Sequence, residues 1–162
     1  VGSEMCIRDR RKVVNAANKL AEIKGSPAAA LELEDGTIVT GKTTNLLGAS
    51  AALLLNTVKV LGDIPHDIHL ISPSAIEPIQ KLKINYLGSK NPRLHTDEVL
   101  IALSASAATD PNAQIALEQL PKLKGCDAHT SVLLSDVDVK VFKKLGVNLT
   151  CEPIYEEKKI YH

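Results

Sequence analysis

Apolar residues recur at helical spacing from Arg11 to Lys24 (Val13, Val14, Ala17, Leu20, Ala21), and Gly25 and Pro27 end the run. The period then shortens. Ala28 to Glu34 and Thr37 to Thr40 are β-prone, and Asp35-Gly36 between them predicts a hairpin turn. From about Thr44 to Leu61 the apolar positions go nearly all the way round a helix, closed by Gly62 and Pro65. Such a helix is expected to be central and covered on most sides. Beyond it the pattern predicts a strand at Ile68 to Ile71, a short helix at Ala75 to Lys83 and a strand at Ile84 to Leu87. Asn91-Pro92 and Asp110-Pro111 each place a capping side chain before a proline, the opening of a helix. The second of these helices runs to about Leu123, with Gly125 as its stop. Val132 to Leu134, Val139 to Leu145 and Val147 to Thr150 then read as strand, helix and strand, before a charged and extended tail from Cys151 to His162.

The second half repeats part of the first. The 26 residues from Gly62 align without a gap on those from Gly125, with seven identities. These are Gly62/Gly125, His66/His129, Leu70/Leu133, Ser72/Ser135, Lys81/Lys144, Leu82/Leu145 and Asn85/Asn148. Two units, about 62–87 and 125–150, each read strand–helix–strand, the grammar of a mostly parallel sheet. The expected fold is therefore α/β: a three-layer α/β/α sandwich, opened by a hairpin, around a mixed and mostly parallel sheet.

The chain of 162 residues carries 19 basic and 19 acidic side chains, so no global field draws it to nucleic acid or an anionic membrane. One Phe, three Tyr and no Trp leave little for stacking on single-stranded bases. No apolar run reaches the roughly 18–20 residues that span a bilayer. Residues 1–10, VGSEMCIRDR, look like an in-frame translation of a sequencing adapter and are set aside from the fold. They hold the single Met, so the remainder is expected to begin mid-gene. Residues 11–26 then read as the end of a helix linking to a missing upstream part, and 27–162 as the α/β/α domain. Cys126 and Cys151, with no CxxC, read as reduced thiols of a cytoplasmic protein.

Gly36 to Thr43 fits GxxxxGK[ST], but its intervening residues are β-branched and strand-forming, and Gly36 is better used in the hairpin turn. Lys42, Thr43 and Thr44 still stand where strand meets helix, so they either hold an anion or simply cap. The densest run of reactive side chains is Lys90 to Ser106, KNPRLHTDEVLIALSAS. His95 and Glu98 are three apart on one helix face and are the candidate acid–base pair, with Asn91 and Arg93 as binding groups. Capping and surface ion pairs are the simpler account of the same residues. No third ligand stands at metal spacing, and no cofactor is assigned. His66 and His129 occupy equivalent places, which suits a repeated structural hydrogen bond better than two sites. Ser72, Ser135 and Asp136 start helices beyond strand ends, where ligands of open α/β sheets gather.

Long stretches are specific enough to suggest kinship: AALELEDGTIVTGKTTNLLGASAALLLN, HDIHLISPSAIEPIQKLK, YLGSKNPRLHTDEVLIALSASAATDPNAQIALEQLPKLKGC and GVNLTCEP. From Arg11 to His162 the chain resembles the carboxyl-terminal domain of the bacterial family catalogued as domain of unknown function 1846. The resemblance implies an intracellular protein without established activity, much longer than this chain. It also implies an upstream segment with its own phosphate-loop-like run, and a last domain of cytidine-deaminase-like architecture. Some members carry a zinc-protease label, but this chain has no HExxH. Zinc deaminases need H-x-E and P-C-x-x-C. The corresponding places here hold Gly48-Ala49-Ser50 and Ser72-Pro73-Ser74-Ala75-Ile76, so zinc deamination is not expected.

Two functional expectations result. One is part of a metabolic enzyme that binds a nucleotide or phosphorylated small molecule in a cleft shared with the missing amino-terminal part of its own chain. The other is a non-catalytic module for structure or homo-oligomerisation on a degenerate deaminase-like fold. Neither involves nucleic acid or a membrane.

Overall fold

The structure, a computed structural model, describes residues 12–152. The adapter-like start and most of the charged tail lie outside the described residues. Helix α1 (Lys12–Lys24) leads into the hairpin β1 (Ala28–Glu32) and β2 (Ile38–Lys42). Then come α2 (Ala49–Leu61), α3 (Pro73–Lys81), a π-helical turn (Leu82–Tyr86), α4 (Thr96–Ala107) and α5 (Pro111–Leu117). A 3₁₀ turn (Leu120–Leu123), β3 (Asp127–Thr130), α6 (Asp136–Lys144) and β4 (Asn148–Cys151) complete the domain.

The four strands are ordered β2-β1-β3-β4. β1 runs antiparallel to both β2 and β3, and only β3 and β4 are parallel. The sheet is mixed as expected but mostly antiparallel, which corrects the expectation of a mostly parallel one. The reason is the fate of the first repeat unit. Its helix α3 and the second unit's α6 are offset by the same 63 residues as the sequence match, each preceded by its serine. The expected strands at Ile68–Ile71 and Ile84–Leu87 do not form. Leu70, Ile71 and Ile76 instead sink into a helical core with Leu94, Val99 and Leu103, and Ile84–Tyr86 joins the π-helical turn. The strand expected at Val132–Leu134 lies earlier, at Asp127–Thr130, because β3 is held there by β1 and β4 on its two sides. The Ser131 hydroxyl accepts from Ala28 N and fixes the strand's exit.

Helices cover both faces of the sheet. α1 lays Val13 and Ala17 on Ala30, so this helix packs on the domain's own sheet. On the other face Ala29, Leu31, Val39 and Ala128 pack with Leu53 and Leu54 of α2 and Phe142 of α6. α2 is also enclosed from behind, since Ala51, Leu55 and Val58 enter the core shared with α4 and α5. The all-round apolar pattern of this helix thus has the central placement expected of it.

Two helix starts differ from expectation for local reasons. The Thr44 hydroxyl accepts from Leu46 N and Leu47 N, which holds 44–48 as a loop and delays α2 to Ala49. The Asn91 side chain accepts from Arg93 N in a tight turn, so α4 begins at Thr96 rather than after Pro92. Asp110 caps α5 as the sequence suggested, accepting from Asn112 N. Gly36 sits in the hairpin turn with φ of 91° and Gly41 lies within β2, an arrangement that is a strand and not a phosphate loop.

Gly41 lets α2 rest directly on β2. A Cβ there would lie 2.6 Å from Leu53 Cα and closer still to its amide nitrogen. Both are backbone atoms, which cannot swing aside. Gly41→Ala is therefore expected to cost at least the about 1–3 kcal/mol of an overpacked core, measured by urea unfolding.

Candidate functional site

The first turns of α2, α4 and α6 meet at one carboxylate. Asp138, in the first turn of α6, is 3% exposed. Its Oδ1 accepts from the backbone N of Thr96 at 3.0 Å and from the Thr96 hydroxyl at 2.6 Å. Its Oδ2 lies 3.5 Å from the Ser50 hydroxyl, in the first turn of α2, and 3.4 Å from His95 Nδ1. Ser135 caps α6 by accepting from Asp138 N. Burial alone pushes the Asp138 carboxyl up, but hydrogen bonds from His95 and Thr96 outweigh it and hold the group below its ordinary value. A buried, ionised carboxylate is stable here because nearly all its acceptor capacity is used.

His95 stands at the start of α4 with 38% of its side chain exposed. The hydrogen bond to Asp138 raises its pKa; burial opposes this, and the nearby Asp138 charge assists. With Nδ1 turned to Asp138, Nε2 is the ring nitrogen left to meet a bound molecule, and no hydrogen bond engages it among the described residues. A carboxylate behind a half-exposed imidazole fixes ring and tautomer, the arrangement that makes histidine an effective proton carrier.

The loop before His95 is held from below. Glu98 accepts from His95 N at 2.8 Å and pairs with Lys83 at 2.9 Å. Lys83, itself buried, also donates to the Arg93 carbonyl at 2.6 Å. The Arg93 side chain donates through Nε to the Thr44 carbonyl at 2.6 Å. Leu47 and Leu94 form a parallel bridge that ties the two loops together.

The structure thus gathers His95, Glu98, Arg93 and Asn91 in one loop and helix start, with Thr44 against Arg93 and Ser135 capping the helix that carries Asp138; Asp136 is exposed at that helix's start. Thr43 donates to the Pro27 carbonyl. Lys42 is exposed on β2, and Ser72 meets Ser74 at the start of α3. Neither joins the network. Glu98 meets a backbone amide and a lysine, so its immediate work is to hold the loop. Sequence reading missed Asp138, Thr96, Ser50 and Lys83. Asp138 stands three residues after a serine cap, where an acid reads as a helix-end charge, and its burial gives no local signal. His129 is fully buried, with Nδ1 2.6 Å from the Thr150 hydroxyl and Nε2 2.9 Å from Glu152. His66 is exposed and not equivalently placed. Among the described residues no three His, Cys, Asp or Glu side chains cluster as metal ligands do, and no helix is long and apolar enough to cross a membrane.

The domain is thus an α/β domain whose helix starts converge on a buried aspartate paired with a half-exposed histidine. Residues 9–161 match the family described as Domain of unknown function DUF1846, C-terminal, and the chain belongs to that family. A UPF0371 protein of Corynebacterium urealyticum is 59% identical over 151 residues, covering 93% of this chain and 30% of the relative. A UPF0371 protein of Streptococcus pyogenes is 49% identical over 153 residues, covering 94% of this chain and 31% of the relative. The chain therefore spans about 30% of the length of the curated relatives it matches.

Removing the carboxylate should unfold the junction. Asp138→Ala strands the Thr96 amide and hydroxyl, and a loss of about 3–5 kcal/mol is expected in denaturant unfolding. The charged pair also sets a pH dependence. His95's contribution is complete below its ordinary 6.5 and is lost as pH rises through its raised folded value. Asp138's is present above its ordinary 3.8 and is lost as pH falls through its depressed folded value. Stability is accordingly expected to fall as pH rises above 6.5 through His95's raised folded value, and His95→Asn should flatten that limb of a Tm-against-pH curve.

Proposed function

We propose that this domain supplies His95, oriented by Asp138, as a proton-transferring group in the wall of a small-molecule site completed by the rest of the polypeptide. The observation that carries this reading is the buried, hydrogen-bonded Asp138 set behind an imidazole whose other nitrogen is open. A carboxylate so placed favours the protonated ring, so His95 gives a proton or binds an anion below its raised pKa and accepts a proton above it. The molecule we favour is a nucleotide or phosphorylated small molecule. Supporting this, the starts of α4 and α6 carry positive ends of helix dipoles beside His95, with Arg93 in the adjoining loop. Asn91, Thr44, Ser135 and Asp136 border that place, and Glu98 serves as support. Lys42, Thr43 and Ser72 would contribute only by contacts with the bound molecule. The hairpin followed by a central helix also agrees in outline with a deaminase-like architecture. In that reading Gly48-Ala49-Ser50 stands at the zinc-ligand position, with Ser50 bonded to Asp138 instead.

The competing reading, a non-catalytic structural or oligomerisation module, is favoured by one observation. Glu98 is already engaged with Lys83 and His95 N, and Nε of Arg93 with the Thr44 carbonyl. Thermal-shift titration of a full-length protein with nucleotides, nucleosides and sugar phosphates separates the two. A ligand at 100 times its Kd adds about 2.7 kcal/mol to the folded state. We expect such a shift with at least one phosphorylated compound, reduced by His95→Asn or Arg93→Ala in proportion to lost affinity. A set of compounds that shifts nothing, or shifts both variants as it does the wild type, would leave the module reading in its place.

A further inference from the structure

The π-helical turn after α3 is inside out. Within Leu82–Leu87, Lys83 is the one buried side chain, at 6% exposure. Leu82, Ile84, Tyr86 and Leu87 are 47%, 38%, 74% and 70% exposed. Single exposed apolar residues are ordinary on a protein surface, but four within six positions, with a charge turned inward instead, are not. The inversion is also fixed in place. Leu87 N bonds to the Leu82 carbonyl and Ser89 N to the Lys83 carbonyl, while Lys83 Nζ is clamped by Glu98 and the Arg93 carbonyl. π-Helical turns are rare and concentrate at functional places. Rotating this one to bury its leucines would break the ion pair beneath it.

We propose that the Leu82–Leu87 turn is the seat on which the preceding portion of the full-length polypeptide packs. The relatives supply the occupant. This chain covers 30–31% of their length and matches a carboxyl-terminal domain, so most of each relative precedes the matched region. The place is also suitable, because Lys83 joins the turn directly to Glu98 and the Arg93 carbonyl, on the loop that carries His95. A segment seated on Tyr86 and Leu87 would therefore rest on the element that supports that loop. The inference rests on the surface itself and stands whether or not His95 transfers protons.

The test is thiol labelling of Leu87→Cys in a full-length protein carrying this domain, read peptide by peptide by mass spectrometry. Hydrogen exchange of peptides spanning 82–88 in the unaltered protein guards against a folding defect of the variant. Seating on the preceding portion predicts labelling slowed roughly tenfold or more relative to the urea-unfolded chain, in the monomer and independent of protein concentration. Slow exchange in the unaltered protein should match it. Labelling at the unfolded rate, with fast exchange in the unaltered protein, overturns the proposal. Protection that vanishes on dilution to the monomer overturns it in favour of a second copy of the chain. His95→Asn should leave the protection unchanged, which keeps this outcome separate from the fate of the acid–base reading.

Discussion

The arrangement of the helical half depends on burying one negative charge. Asp138 brings α6 to α4 through Thr96, to α2 through Ser50 and to the loop before α4 through His95. An ionised carboxylate at such depth is tolerable only while those donors face it, so the three helix starts are constrained together. The same constraint orients an imidazole toward the outside. Structure and candidate chemistry therefore share an origin, and changing the carboxylate perturbs both.

A second buried charge performs a similar service one layer away. Lys83 is enclosed, and it ties the π-helical turn to Glu98 and to the Arg93 carbonyl. Together the two charges hold the segment from Leu82 to Thr96 in a conformation that apolar packing alone would not select. Only Lys83 and Leu94 are buried in it before Thr96, while its other large apolar side chains stay at the surface. Polar groups specify shape here, and the apolar cores around α2 supply most of the stabilisation.

Features governed by neighbouring residues were legible in the sequence. The hairpin at Asp35-Gly36, the central helix, the Asp110 and Ser135 caps and the unsuitability of Gly36–Thr43 as a phosphate loop all follow from local rules. Strand pairing was not legible. The apolar runs at Ile68–Ile71 and Ile84–Leu87 resemble those of the second unit, but a strand exists only where a partner offers hydrogen bonds, and these runs have helices beside them instead. Of the candidate site, His95 was legible only as a candidate near a helix start. Asp138 was not, because Asp-Val-Asp-Val-Lys reads as a solvated face. In the folded chain Val137 and Val139 are exposed and the aspartate between them is buried, an inversion that depends on Thr96, forty-two positions away.

Asp138, a buried and charged carboxylate, governs His95. The most direct measurement is an NMR titration of the His95 ring in the wild type and in Asp138→Asn. The expected result is a wild-type His95 pKa above 6.5 that falls in the variant. A His95 that titrates at its ordinary value in both proteins would contradict it.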